Sequence, residues 1–305
     1  MRRALAPVAV LAVLASCTAV PSAETPQKTA QKAIVAAPAA VLAPARSPEP
    51  VRPAIFAFAG ELTQGGWIKG SAPAGTRSLM FNGERVDFAE NGGFFVAFDR
   101  DASPTATLTA TLDSGAKVTH PLTVAPRAWR IENINIARRQ SGASEAFMAL
   151  RRPELARING ARAKDTGAQG WRQDFVWPVT GRISGRFGSQ RVYRGEPGSY
   201  HSGIDITSGT SGTPFVAPAD GVVILAAEKP FTLEGNLLML DHGLGLNSAF
   251  LHCSEILVRE GEHVRQGQVI GRIGSTGRAT GPHLHWSMKW NDSRLDPILL
   301  TGPMR

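Results

Sequence analysis

Cysteine and histidine are both scarce in this sequence, which has 305 residues but only two cysteines and seven histidines. The two cysteines, Cys17 and Cys253, cannot form a disulfide framework, so the fold depends on a hydrophobic core. An apolar run near the start has about a dozen residues, too few to span a bilayer. Long helical periodicity is absent from residues 173–305, which disfavours a helical bundle there.

The first residues, "MRRALAPVAVLAVLASC", place two arginines before this apolar run, as in a secretory signal peptide. The run ends in Leu14-Ala15-Ser16-Cys17, which resembles a bacterial lipobox. We therefore expect residues 1–17 to be a signal peptide with a lipobox, and Cys17 to be acylated. Because Thr18 rather than aspartate follows, we expect a periplasmic protein anchored to the outer membrane. The alternative is an ordinary signal peptide that is cut after Ala23 and discards Cys17.

Residues 18–52 are rich in alanine and proline and lack aromatic side chains. Such a segment cannot bury enough apolar surface to offset the entropy lost on ordering. We therefore predict a disordered tether, which at roughly 3 Å per residue would reach on the order of 100 Å when extended.

The chain carries a formal net charge of +8, with an isoelectric point near 10.1. This charge indicates an anionic partner, and nucleic acid, anionic lipid and anionic cell-wall polymer all qualify on charge alone. The export signal and the tether favour the wall polymer, so we expect no nucleic-acid partner.

Turn residues punctuate residues 53–126 in the manner of β-hairpins. Asn82-Gly83, Asn91-Gly92-Gly93 and Asp113-Ser114-Gly115 each lie between runs typical of strands. We predict a small β-sandwich here. Its one histidine, His120, has no clustered carboxylates near it in sequence, so a spacer, binding or shielding role is expected.

Residues 127–172 are predicted to be a helical connector. The segment "SEAFMALRRPELARINGARAKD" contains good helix formers, and Phe147, Leu150 and Leu155 fall roughly on one side. Because Pro153 lies inside this pattern, we expect the helix to be interrupted there.

Residues 173–305 contain many short strand-like runs separated by glycine and proline, such as "GVVILAAE", "GNLLMLDHG" and "HLHWSMKW". This pattern predicts a mainly β protein, with an antiparallel β domain following the sandwich and the helical connector.

Six of the seven histidines lie between positions 201 and 285. Gly203 allows the chain to curl between His201 and Asp205, so that an imidazole and a carboxylate converge. His283 and His285 are two apart on a predicted strand, so both point to one face. Nitrogen and oxygen ligands of this kind suit Zn²⁺. Spacing alone leaves open whether one or both of His283 and His285 bind metal, or whether the pair is only structural.

Four blocks in this order resemble the lysostaphin-type (LytM-like) zinc metallopeptidases, which cut peptidoglycan cross-links. The resemblance covers about residues 175–297. The blocks are "HSGID" at 201–205, "APADGVV" at 217–223, "DHGLGLNSAFLH" at 241–252 and "GQVIGRIGSTGRATGPHLHW" at 267–286. Together they are highly specific.

The resemblance implies that His201, Asp205 and His285 bind Zn²⁺, with water in the fourth position. It further implies that His252 and His283 flank this water as catalytic residues, one as general base and the other stabilising the oxyanion. The expected partners are peptidoglycan and the membrane, the latter through a lipid on Cys17. We expect a monomer.

Other candidate residues have plainer interpretations. His242 is expected to be structural, His263 to lie on the surface and Cys253 to be a packed thiol, where the family more often has leucine. Some family members place a tyrosine near the oxyanion, but the sequence assigns this role to neither Tyr193 nor Tyr200.

Three functions are compatible with the sequence. The chain is an active peptidoglycan endopeptidase, a non-catalytic regulator of cell-wall amidases, or a secreted zinc peptidase acting on proteins. Regulators of this kind have usually lost metal ligands, whereas every implied site residue is present here. The first function is therefore favoured.

Overall fold

In a computed structural model of the chain, residues 54–137 and 144–304 are described. The predicted signal peptide, Cys17 and the predicted tether lie outside the described residues. The described residues belong to one compact unit, Pro50–Arg305. No helix within them is long and apolar enough to cross a membrane.

The described strands before the long helix are β1 Ala57–Gly60, β2 Trp67–Ser71, β3 Thr76–Phe81, β4 Glu84–Val86, β5 Gly93–Ala97, β6 Thr105–Leu112, β7 Lys117–Thr123 and β8 Ile131–Ile134. The helices are α1 Glu145–Arg162 and α2 Ile298–Thr301, with a 3-10 turn at Gly170–Arg172. The later strands are β9 Arg182–Gly185, β10 Gln190–Tyr193, β11 Glu196–Tyr200, β12 Ile204–Thr207, β13 Pro214–Val216, β14 Gly221–Ala226, β15 Asn236–Gly243, β16 Leu246–Cys253, β17 Glu255–Ile256, β18 His263–Val264, β19 Val269–Arg272, β20 Leu284–Trp290 and β21 Ser293–Leu295.

The first seven strands form two sheets, in the orders β1-β2-β5 and β4-β3-β6-β7. Asn82 and Gly83 have φ angles of 50° and 85°, which a two-residue hairpin turn requires, and they join the paired strands β3 and β4. The turn at residues 113–115 joins the paired strands β6 and β7. Both hairpins are predicted from the sequence and are confirmed.

The third predicted hairpin is wrong. A turn does form at Asn91-Gly92-Gly93, but β4 pairs with β3 whereas β5 pairs with β2, so this turn carries the chain from one sheet to the other. All five residues of β5 are buried. Phe94 packs against Phe56 and Phe95 stacks on Trp67, so both faces of the strand need cover that a simple hairpin with β4 would not provide.

An eight-stranded sheet holds most of the later strands, in the order β18-β14-β15-β16-β20-β12-β9, with β21 paired to β20. Every pairing in it is antiparallel. A three-stranded sheet, β13-β19-β17, packs against it, where Phe215 stacks on Phe250 at 5.2 Å between ring centroids. The predicted mainly β, antiparallel fold is confirmed.

One hydrophobic cluster runs through both the first sheets and the eight-stranded sheet. Phe81 of β3 meets Trp290 of β20 edge to face, with ring centroids 5.8 Å apart. The indole of Trp67 donates a hydrogen bond to the carbonyl of Leu299 at 2.9 Å. The two upstream sheets are therefore packed directly onto the later sheet.

Helix α1 is continuous through Pro153, contrary to the predicted interruption. The hydroxyl of Ser144 caps its start by accepting the Phe147 N–H at 3.2 Å. Proline removes one helical hydrogen bond. Arg151 and Glu154, on either side of the proline, both bind the loop before β15, and this tertiary anchoring holds the two halves in line.

The buried side of α1 is not the side that carries the apolar residues Leu150 and Leu155. Leu150 and Leu155 remain 61% and 37% exposed, whereas Arg151, Ile158 and Ala161 are buried. Ile158 and Ala161 pack with apolar side chains of β14 and β15, and Arg151 lies on the same buried side, paired with Glu154 and Glu234.

His242 is fully buried and joins three segments of the sheet. Its Nδ1 lies 2.8 Å from the Asp220 carbonyl oxygen and its Nε2 lies 2.8 Å from the Ser248 hydroxyl. Its predicted structural role is confirmed. His263 is exposed and Cys253 is buried, also as predicted, and burial raises the pKa of that thiol to about 12.

Burial lowers the pKa of His242 to about 4, from an ordinary value of 6.5. At a pH between these two pKa values, His242 is protonated in the unfolded chain but not in the folded chain. The free energy of unfolding therefore falls as the pH decreases from 6.5 to 4. We expect His242→Gln to reduce this fall, because an amide does not titrate. Urea denaturation at pH 7 and pH 5 measures the difference, and equal falls in both proteins would contradict it.

Candidate metal centre

Strands β12 and β20 run side by side and bring the predicted metal ligands together. Asp205 on β12 lies directly opposite His285 on β20 in the antiparallel register. The loop that carries His201 crosses closely over β20, where a Cβ atom on Gly203 would lie 2.8 Å from His285 Nε2. Glycine is needed at this crossing to let the loop approach.

Three ligand atoms converge at this point. His201 Nε2 lies 3.1 Å from Asp205 Oδ1 and 3.1 Å from His285 Nδ1, and the last two atoms are 2.9 Å apart. Within residues 54–137 and 144–304, these residues form the one group of three or more side chains that is arranged to hold a metal ion.

Hydrogen bonds fix the orientation of the His201 ring. Its Nδ1 lies 3.2 Å from the carbonyl oxygen of Arg186, which can only accept, so we assign the proton to Nδ1. In the neutral ring this leaves the lone pair of Nε2 directed at the cluster, as in metal-binding histidines generally. On the other side, the backbone of Gly185 packs so closely against Asp205 Oδ2 that any Cβ atom would overlap it.

His283 and His252 complete a group of four histidines. The Nδ1 of His283 donates to the Gly281 carbonyl and that of His252 to the Thr276 carbonyl, each at 2.8 Å, so in the neutral form of each ring Nε2 carries the lone pair. Their ring centroids are 5.0 Å apart, and His283 Nε2 lies 3.6 Å from Asp205 Oδ1.

The predicted common face of His283 and His285 is confirmed, since both rings approach Asp205. The same group contains His252, whose ring centroid lies 6.2 Å from that of His285.

His252 has an unusual backbone conformation. Its φ angle is 65°, in the left-handed region that residues other than glycine seldom adopt. It lies at a bulge, because the register of β16 against β15 shifts between the pairs Asn236–Cys253 and Leu238–Phe250. Bulges often re-aim a side chain next to a functional site.

The electrostatics of the cluster favour a charged carboxylate beside a neutral imidazole. Burial opposes ionisation of Asp205, but its close interactions with the His201 and His285 imidazoles hold the pKa of this carboxyl well below its usual range. Burial lowers the pKa of His285 and of His252. The pKa of His201 is raised, because its hydrogen bond and charge interaction with Asp205 outweigh its burial.

The structure does not bring either tyrosine into this group. The Tyr200 hydroxyl accepts a hydrogen bond from Arg294 at 3.2 Å, and its ring lies under Arg100. Tyr193 belongs to β10 and interacts with Arg191. Among the described residues, no hydrogen bond joins a tyrosine to the histidine cluster.

Sequence reasoning missed the carbonyl groups that orient the rings, those of Arg186, Thr276 and Gly281. Main-chain acceptors carry no residue-type signal, although Thr276 and Gly281 lie a few residues before His283 in the block at 267–286.

Residues 199–297 match the sequence model of peptidase family M23. Peptidoglycan DD-endopeptidase ShyA of Vibrio cholerae is 40% identical over 111 residues, which are 35% of this chain and 24% of that protein. DD-carboxypeptidase/endopeptidase Mpg of Neisseria meningitidis is 40% identical over 126 residues, which are 40% of this chain and 27% of that protein. The chain thus spans about a quarter of the length of these curated relatives.

A crystal structure of a peptidase M23 protein from Pseudomonas aeruginosa is similar over a larger part of the chain. It covers 80% of this chain and 96% of its own, at 26% identity and a TM-score of 0.59. The sequence blocks, the ligand geometry and the family match agree, and residues 199–297 form a peptidase family M23 domain.

Proposed function

We propose that this protein is a zinc-dependent endopeptidase that hydrolyses peptide cross-links of bacterial peptidoglycan. The observation that carries the proposal is the convergence of His201, Asp205 and His285 beside two further imidazoles. The names of the relatives, a peptidoglycan DD-endopeptidase and a DD-carboxypeptidase/endopeptidase, support the substrate class.

The ligand set fits zinc. Two imidazole nitrogens and one carboxylate oxygen are the donors of many catalytic zinc sites, which keep a further position open. The carboxylate is held ionised, and Nε2 of His201 faces the cluster. Zinc bound there supplies a Lewis acid, which polarises a carbonyl group and makes water a stronger nucleophile.

His252 and His283 are suited to proton transfer. Each has its Nδ1 proton committed to a backbone carbonyl, so each presents a basic Nε2. Because burial lowers the pKa of His252, its imidazole is neutral near pH 7 and able to accept a proton from water. A protonated imidazole beside the scissile group then donates to the leaving amine or stabilises the oxyanion.

The net charge of +8 supports an anionic wall polymer over free peptides as the substrate. A non-catalytic regulator is disfavoured because the ligand and imidazole sets are both complete. Zymography on purified sacculi, with and without a chelator, tests the proposal. Clearing that is lost with chelator and restored by Zn²⁺ supports it, whereas clearing that is indifferent to chelator contradicts it.

We also propose the following division of the chain: a signal peptide with lipobox at 1–17, a tether at 18–52, a β-sandwich at 53–126, a helical connector at 127–172 and a zinc metallopeptidase domain at 173–305. In this arrangement Cys17 carries lipid and the tether lets the peptidase reach the wall from the outer membrane. The protein acts as a monomer.

Substitution of His285 by alanine is expected to remove most of the zinc, because a three-residue ligand set loses one donor. Metal analysis of the purified protein measures this. His263→Ala, which changes an exposed histidine outside the cluster, is the matched control and should keep wild-type zinc. Stoichiometric zinc in His285→Ala would show that the ligand assignment is wrong.

The variants His283→Ala and His252→Ala are expected to keep their zinc and to lose about 10²- to 10⁴-fold in hydrolysis rate, the usual contribution of a positioned acid or base. Zinc content and release of peptide from sacculi are measured on the same samples. Loss of zinc in either variant would make that residue a ligand and overturn the division of roles.

Replacement of Cys17 by serine is expected to move the protein from the membrane fraction to the soluble periplasm, or to block its maturation. A triacylated cysteine anchors firmly, whereas a single acyl chain binds only marginally. Labelling with a fatty-acid analogue checks the modification directly. An unlabelled wild-type protein would end the lipoprotein proposal while leaving the endopeptidase proposal intact.

A further inference from the structure

The strained backbone at His252 is held by two carbonyl groups from different loops. The His252 N–H donates to the Glu234 carbonyl at 2.8 Å, and its ring Nδ1 donates to the Thr276 carbonyl at 2.8 Å. A residue with φ of 65° keeps this conformation only if its surroundings hold it there. The two loops therefore set where this imidazole points.

Helix α1 binds the turn at residues 231–235, which carries the Glu234 carbonyl. Arg151 makes a two-pronged ion pair with the Glu234 carboxylate, with both N–O distances at 2.6 Å. The side chains are 9% and 16% exposed, so the pair is largely shielded from water. Paired guanidinium–carboxylate contacts of this kind fix orientation as well as position.

Glu154 holds the other end of the same turn. Its carboxylate accepts hydrogen bonds from the Thr232 N–H at 2.7 Å and from the Thr232 hydroxyl at 2.6 Å. Arg151 also donates to Glu154 at 2.9 Å. One arginine thus ties together two carboxylates that hold both ends of the turn.

The 231–235 turn also packs directly on the loop that carries the Thr276 carbonyl. A Cβ atom on Gly235 would overlap the hydroxyl of Thr276, so the two backbones touch. The Thr276 hydroxyl accepts the Asn236 N–H at 2.9 Å and donates to the Cys253 carbonyl at 3.0 Å. A shift of the turn therefore disturbs both hydrogen bonds of His252.

We propose that Arg151, acting through Glu234 and the 231–235 turn, is a positioning residue for the His252 imidazole. The inference rests on the proposed catalytic role of His252. Arg151 lies on α1, outside residues 199–297, so a residue beyond the family-matched domain controls part of its active site.

The test uses the full chain loaded with zinc. Arg151→Gln removes the buried ion pair, and Arg152→Gln removes the exposed pair that the neighbouring arginine makes with Glu145. Peptide release from labelled sacculi is followed over a range of sacculus concentration, which separates kcat from KM. Each variant is assayed at a temperature where its near-ultraviolet circular dichroism is native.

We expect Arg151→Gln to lower kcat about 10- to 100-fold, the size of effect that a misplaced catalytic group produces, with KM and zinc content unchanged. Arg152→Gln should stay within about twofold of wild type, and Arg151→Lys should recover part of the loss. If Arg151→Gln does not fold, Glu234→Gln, which keeps the side-chain shape, provides the same comparison. A wild-type kcat in the folded variant overturns the inference.

A spectroscopic measurement separates this inference from the proposed function. The His252 ring N–H should give a proton signal that exchanges slowly in the wild type and faster in Arg151→Gln. The ring N–H of His242, which donates to the Asp220 carbonyl, is the internal control and should not change. Wild-type protein without activity on sacculi would refute the proposed function, whereas unchanged exchange at His252 would refute the positioning role.

Discussion

The pairing of β12 with β20 is the constraint on which the site depends. Because side chains alternate faces along a strand, a slip of one residue would turn His285 away from Asp205. The neighbouring pairs Ile204–Trp286 and Ile206–Leu284 are fully buried and fix the register. Burial of apolar side chains on one face of the sheet thus assembles the polar cluster on the other.

The site is also larger than the sequence motifs that mark it. Gly185 ends β9 and Arg186 follows it, so both precede the residues that match the family. Gly185 nevertheless packs on Asp205, and the Arg186 carbonyl orients the His201 ring. Helix α1 adds a third support from farther upstream. The motif supplies the proposed ligands, and the surrounding chain restrains the orientation of their side chains.

Features that depend on local periodicity were predictable from the sequence. The common face of His283 and His285 follows from strand alternation, and the hairpin at Asn82-Gly83 follows from the turn type. The fate of the turn at residues 91–93 was not predictable, since it depends on which sheet buries β5. The bulge at His252 and the buried face of α1 depend on partners distant in sequence, so no local pattern predicts them.

Strand β20 runs from the candidate site to the contact with the upstream sheets. His285 and Trp290 lie five residues apart on it, which at about 3.3 Å per residue is roughly 16 Å. The Trp290 ring meets Phe81 of β3 edge to face, while His285 belongs to the candidate metal-binding group. The contact between Trp290 and Phe81 therefore bears on the same strand backbone that positions His285, a proposed metal ligand.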